Sequence, residues 1–359
     1  MGCIRRFDEH DIPQVTRLHR RVFKLGDSAG LASHRDYFTR VFLDNPAGTG
    51  SLPSLVYQED DGRITGFVGL VPRQVAINGR RFQAAVSSQF VVDPECRVGL
   101  VAVRLAKTYL EGPQDLSIAD EANDVSRRIW EALGGTTALL LSLHWTRPLR
   151  PAGLAVSLLR GRRALAPLAA AAGPMAAIVD GLAARIPQSH FRQCAPQVRA
   201  DDLCGQTVLA HMPEFSGGTS LRVEYDERTF QWLLDRAASR TPDGRLVKAV
   251  VTSGPRILGW YICHLGGDGI AEALHVTATP ASIHEVLDHL FYTAWQHGAL
   301  AVTGRMEPRF VQALSDKYCL FHRRGPWVLI KAREPELRRS FETGDVCFSR
   351  LDGEWSLRF

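Results

Sequence analysis

The stretch at residues 91–113, VVDPECRVGLVAVRLAKTYLEGP, decides how the chain is read. It starts as the apolar end of a strand, turns through Asp93-Pro94 and a single glycine, Gly99, and runs on as a helix that stops at Gly112-Pro113. A helix that starts so soon after a strand leaves its first N–H groups unpaired. Such a corner either holds an anion or merely turns, so its surroundings have to decide between the two.

Upstream, residues 4–7 predict a short strand, and Asp11-Ile12-Pro13 opens a helix with proline near its first turn, where the missing N–H costs nothing. Residues 54–57 and 64–71 read as strands around Asp60-Asp61-Gly62. Residues 75–77 and 81–86 flank Asn78-Gly79, a strong hairpin signal. Downstream, residues 116–120 form a short buried strand, Asn123 caps a helix that Gly134-Gly135 ends, and residues 138–145 are expected to supply the strand that closes the unit.

The second half repeats this order. Arg63-Ile64-Thr65-Gly66-Phe67 has a counterpart in Arg256-Ile257-Leu258-Gly259-Trp260, with matching strands and helices on either side, which predicts two copies of one unit. Residues 1–147 form the first, 148–202 an alanine- and arginine-rich helical connector, and 203–359 the second. Within the connector the uncharged run 164–179 is broken by Pro167 and Pro174 and is shorter than the ~20 residues of a membrane span. Peripheral membrane contact through residues 151–186 stays open as the alternative to a plain connector.

The bulk properties exclude several classes. A charge of +5 over 359 residues, with no basic run interleaved with aromatics, does not suit a nucleic-acid groove, and no DNA partner is expected. Seven scattered cysteines make neither a zinc ribbon nor a disulfide scaffold, and the amino terminus lacks the apolar core of a secretion signal, so the expected location is cytoplasmic. His284 and His289 stand five apart, about 140° around a helix, so no metal site is expected. The tail SRLDGEWSLRF reads as a turn into a last strand docked on the second unit.

The element order, together with VVDPECRVGLVAVRLAK and DEANDVSRRIWEALGG, resembles the GNAT acyltransferase family, clearly over residues 1–145 and more faintly over 221–333. The resemblance implies an α/β fold with a mixed sheet in each of two GNAT-like domains. It also implies that acyl-coenzyme A lies between the splayed fourth and fifth strands. The residues this assigns to the coenzyme are Val91, Val92, Arg97, Val98, Gly99, Leu100, Val101, Ala102, Asn123 and Ser126. The family signature is Gln or Arg, two residues, Gly, one residue, then Gly or Ala. Here it is broken in either register, which leaves backbone N–H groups around Gly99 to carry the phosphates.

The implied reaction is acetyl transfer from acetyl-CoA to a primary amine, with an amino sugar of a surface polysaccharide as the expected acceptor. Many relatives place a carboxylate on the fourth strand and a tyrosine in the helix after the fifth; this chain has Ser87-Ser88-Gln89 and Trp130 there. The polar groups left for catalysis are Ser88, Asp120 and Glu121. The second copy offers no glycine at 277–282 and is expected to bind no coenzyme and to wall the substrate cleft. Two other readings of the same fold are a FemABX-like peptidyltransferase that uses aminoacyl-tRNA and a non-catalytic ligand-binding or scaffold protein.

Overall fold

The computed structural model describes every residue except 1, 25–29, 49, 97, 162–164, 217, 240–243 and 324. The first half contains β1 (Cys3–Arg6), α1 (Ile12–Phe23), α2 (Leu31–Phe38), β2 (Leu55–Gln58), β3 (Ile64–Ile77), β4 (Arg80–Val92), α3 (Val98–Leu110), β5 (Leu116–Ala122), α4 (Asp124–Ala132) and β6 (Thr136–Thr137). β7 (His144–Pro148), α5 (Pro151–Arg160) and α6 (Ala166–Ala183) lead into β8 (Arg199–Asp202), α7 (Gly205–Phe215), β9 (Leu221–Glu224) and α8 (Glu227–Ser239). The chain continues through β10 (Arg245–Ser253), β11 (Arg256–Leu265), β12 (Ile270–Ala278), α9 (Ile283–Gln296), β13 (Ala301–Arg305), α10 (Val311–Asp316) and β14 (Leu320–His322). β15 (Trp327–Ala332), α11 (Pro335–Thr343), β16 (Val346–Cys347) and α12 (Glu354–Leu357) complete it.

Among the described residues two mixed sheets form. One is ordered β1-β2-β3-β4-β5-β15-β6, with β9 and β16 added beside β3; the other is ordered β14-β7-β13-β12-β11-β10-β8. Each holds four antiparallel strands, then one parallel pair, β4 with β5 or β12 with β13, then an antiparallel strand. The repeat inferred from the element order is therefore a repeat of topology.

That antiparallel strand corrects one expectation. The unit was expected to close with its own strand at 138–145. Instead a short 3-10 turn occupies Leu140–Ser142, and β7 crosses to pair with β13 of the other sheet. Its place beside β5 is taken by β15, from the second half. Both are short strands, and pairing between them and either sheet is non-local, so the sequence pattern alone did not distinguish the exchanged arrangement from the simple one.

The packing that shapes the first unit is local and legible. α3 buries Val101, Leu105, Ala106 and Tyr109 on one helical face. It lies so close to β3 that a Cβ at Gly66 would sit 2.6 Å from Leu105 Cδ1. Gly66, the shared glycine of the repeated pentapeptide, thus sets the helix-to-sheet distance. Full burial of a side chain such as Leu105 contributes about 1.5–3 kcal/mol.

Candidate active site

The parallel pair of the first sheet is short. β4 and β5 are in register only at Ala84–Leu116, Ala85–Ser117 and Val86–Ile118; beyond these β4 runs on to Val92 and β5 to Ala122 without pairing. The fork is pinned by Tyr109 from α3, whose hydroxyl donates to Ala85 O at 2.8 Å and accepts from Ile118 N at 3.1 Å. Between the diverging strands lies a cleft of about 500 Å³, walled by both strands, α1, α3, α4 and the carboxy-terminal segment.

A bulge in β4 decides which side chains face this cleft. The register with β3 shifts between Phe67 and Gly69, and Gln89 takes a positive φ of 54°. One inserted residue reverses the in-out alternation. Ser87 and Gln89 therefore face the cleft before the bulge, Phe90 faces it just beyond, and Val91 turns into the opposite core. Gln89 Oε1 accepts from His19 Nε2 on α1 at 2.7 Å. Burial pulls His19 down to about 4, which Gln89 opposes in part, so the imidazole is neutral at physiological pH.

The second wall belongs to the tail. The expected strand at 349–359 is instead a turn followed by α12, which brings Glu354, Arg358 and Phe359 into the cleft. The segment binds both halves: Trp355 packs into the second unit's core, while Leu357 packs into the first. Gly353 permits the approach, since a Cβ there would lie 1.9 Å from Asp120 Oδ2. Glu354 N donates to Asp120 Oδ1 at 2.7 Å, and Glu121 N donates to Glu354 Oε2 at 3.1 Å.

Three carboxyl groups thus meet at the open end of β5, each in a different setting. Asp120 is fully buried and bonded at 2.5 Å to Arg305 from β13. Glu121 faces the cleft between Arg350, at 3.4 Å, and Arg358, which donates to it. Among the described residues no guanidinium forms an ion pair with Glu354, although the charge of Arg358 favours its ionised form. Burial first, then the charges of Asp120 and Glu121, push its carboxyl well above the usual carboxylate range. Two cleft carboxyls in such different surroundings, one ion-paired and one pressed toward its neutral form by burial, make the kind of arrangement from which acid–base pairs are built.

The residues singled out from the sequence fall into several places. Glu121, Asn123 and Ser126 line the cleft. Asn123 also caps α4, its Oδ1 accepting from Ser126 N at 2.8 Å. Asp120 lies behind the wall as a positioning group, and Ser88 points to the face away from the cleft, its hydroxyl buried. Val92 packs on the cleft side of the sheet. Arg97 lies outside the described residues; Val98 starts α3, Leu100 is exposed, and Val101 and Ala102 are buried on the helix. Trp130 is a buried wall residue edge-on to Tyr109. Glu354 and His19 were missed; the Asp352-Gly353 turn was the sequence signal nearest to the first, and nothing local marked the second.

A coenzyme fits this geometry. α3 lends Ala106 and Tyr109 to the cleft wall and begins at Val98, where a helix leaves its first N–H groups without intrahelical partners; a Cβ at Gly99 would meet nothing within 4 Å, so the fold itself does not require glycine there. The unpaired edges of β4 and β5 offer backbone groups to an extended ligand. Among the described residues no group of three or more His, Cys, Asp or Glu side chains is placed to hold a metal. His289 instead bonds Tyr261 Oη at 3.0 Å.

Fold and cleft together define the class as GNAT-like. Residues 3–115 match the family model described as an acetyltransferase (GNAT) domain, so the first unit carries such a domain. No curated protein matches the chain. Among solved structures, a conserved Enterococcus faecalis V583 protein described as a probable N-acyltransferase superposes with a TM-score of 0.59 at 12% identity, over 92% of this chain and 72% of that one. A GCN5-related N-acetyltransferase from Anabaena variabilis ATCC 29413 gives 0.58 at 11% identity, over 92% and 73%. Saccharomyces cerevisiae N-myristoyltransferase, solved with myristoyl-CoA, gives 0.51 at 10% identity, over 92% and 79%. At such identities these likenesses establish the fold, which the chain shares across both units.

Proposed function

We propose that the chain is an N-acyltransferase that moves acetyl from acetyl-CoA to a primary amine in the gap of the first sheet. The observation that supports this most is the cleft itself, open at the end of a parallel strand pair whose first strand lies in the stretch that matches the GNAT family. Acetyl-CoA supplies the acyl group as a thioester, held along β4 and at the N–H groups of α3 around Gly99. Amino sugars are the acceptor class we favour.

An acceptor amine reaches the cleft as an ammonium and must lose a proton before its nitrogen can attack a carbonyl carbon. Glu121, ion-paired with Arg350 and Arg358, offers the ammonium a carboxylate partner at the end of β5. Glu354, once ionised, is a stronger base than an ordinary carboxylate and takes the ammonium's proton; as the C–N bond forms and the C–S bond breaks, the nitrogen releases its second proton to solvent and Glu354 returns the first to the departing sulfur. Asp120 positions Glu354 through its backbone N–H.

Following thiol release with acetyl-CoA and a panel of amino sugars, amino acids and short peptides tests this. Amine-dependent release is expected for at least one amine. Release by none, with acetyl-CoA still bound, would leave the non-catalytic reading.

A further inference from the structure

The connector between the units carries an apolar face that none of the described residues covers. α5 and α6 form a helical hairpin, and α6 turns Ala169, Ala176 and Asp180 inward. Asp180 caps α5, accepting from Ala152 N at 2.9 Å and Gly153 N at 2.8 Å. The large side chains point the other way: Leu168, Met175, Ile178, Val179, Leu182 and, just past the helix, Ile186 are each at least 50% exposed. At 100° per residue the five helical ones fall within an arc of about 100°, so they make one stripe. Leu158 on α5, 68% exposed, adds to the same hairpin.

The charges beside the stripe have one sign. Residues 148–198 hold Arg150, Arg160, Arg162, Arg163, Arg185 and Arg192 against a single acid, Asp180, which is engaged as a cap. Of these, Arg160, Arg185 and Arg192 are exposed, and Arg162 and Arg163 lie outside the described residues. An apolar stripe with an arginine border complements an anionic lipid surface. A two-fold contact between copies would set this patch against itself and bring like charges together.

Spanning the bilayer fits less well. α6 is 18 residues long and apolar enough on composition, yet a transmembrane placement would carry Asp180 into hydrocarbon and strip α5 of its cap.

We propose that the α5–α6 hairpin docks flat on a bilayer containing anionic lipid, with Leu168, Met175, Ile178 and Leu182 in the interface and the arginines at the headgroups. The inference stands apart from the acyl-transfer reading and is tested without it. The full chain is sedimented with vesicles of phosphatidylcholine alone and of phosphatidylcholine mixed with phosphatidylglycerol. Binding to the mixed vesicles is expected to be about tenfold tighter or more, and to weaken with added salt.

The triple change Leu168→Glu, Met175→Glu, Leu182→Glu should reduce binding about tenfold or more while circular dichroism and melting stay unchanged. Should that variant fail to fold, Arg160→Gln with Arg185→Gln and Arg192→Gln is expected to remove the preference for anionic vesicles. Absence of binding to either vesicle, equal binding of wild type and a folded triple variant, or a dimer in sedimentation velocity that the triple variant abolishes would each overturn the proposal.

Discussion

The two sheets repeat one topology, yet their strand gaps differ by more than an order of magnitude in free volume. The gap between β4 and β5 holds about 500 Å³, while that between β12 and β13 holds about 20 Å³, room for a water molecule at most. The second gap is closed by bulky side chains: Phe310, Leu314, Phe348, Arg305 and Arg350 meet where the first gap is open. The same strand divergence can therefore make a site or a core, and the side chains that enter it decide which.

The first gap is also lined by the second unit's residues, because Arg305, Arg350 and the tail reach across to its carboxylates. The second copy thus serves the first as its wall and counter-charge. This gives physical content to the expectation that the second half walls the substrate cleft.

The largest effect should come from the group that joins the gaps. Arg305→Leu leaves Asp120 charged and fully buried, and removing one partner of a buried pair costs about 3–5 kcal/mol. Denaturant melts should report that loss; a change below about 1 kcal/mol would show that the second gap's guanidinium is not structural.

Next in size, Glu354→Gln is expected to lower turnover about 100-fold with acetyl-CoA affinity unchanged. In the wild type, activity should rise with pH through the raised Glu354 value, and the variant should lose that limb. Stability should carry the opposite sign. Above the ordinary carboxylate range the unfolded chain releases this proton while the folded chain keeps it, so folding loses stability as pH rises through that interval, and Glu354→Gln flattens the decline. A variant with wild-type turnover and pH profile would remove Glu354 from the chemistry.

Smaller effects separate the two helix starts. Gly99→Trp projects into open space, so it should weaken acetyl-CoA binding about tenfold or more while leaving the melting temperature unchanged. Ala281→Trp, at the exposed start of the corresponding second-unit helix, should leave binding alone. Equal losses in both would mean that the second gap opens to ligand.

Much of this was legible from residues close in sequence. The Asn78-Gly79 hairpin, the α3 face and the Asn123 cap rest on local turns and periodicity, and each forms as the pattern implies. The exchange of β7 and β15 was not legible, because each short strand finds its partner only after both sheets exist. Ser88 shows a subtler limit: strict alternation would put it on the same face as Phe90, and the bulge at Gln89 is what brings Phe90 to the cleft while Ser88 faces away. Glu354 was hidden because its role depends on Gly353 passing over Asp120, residues more than two hundred positions apart.

The central claim is that one gap takes acyl-coenzyme A and its twin does not. Calorimetric titration of the full chain with acetyl-CoA measures this directly. One molecule per chain, abolished or strongly weakened by Gly99→Trp and retained by Ala281→Trp, is the predicted result; two per chain, or no binding at millimolar ligand, would contradict it.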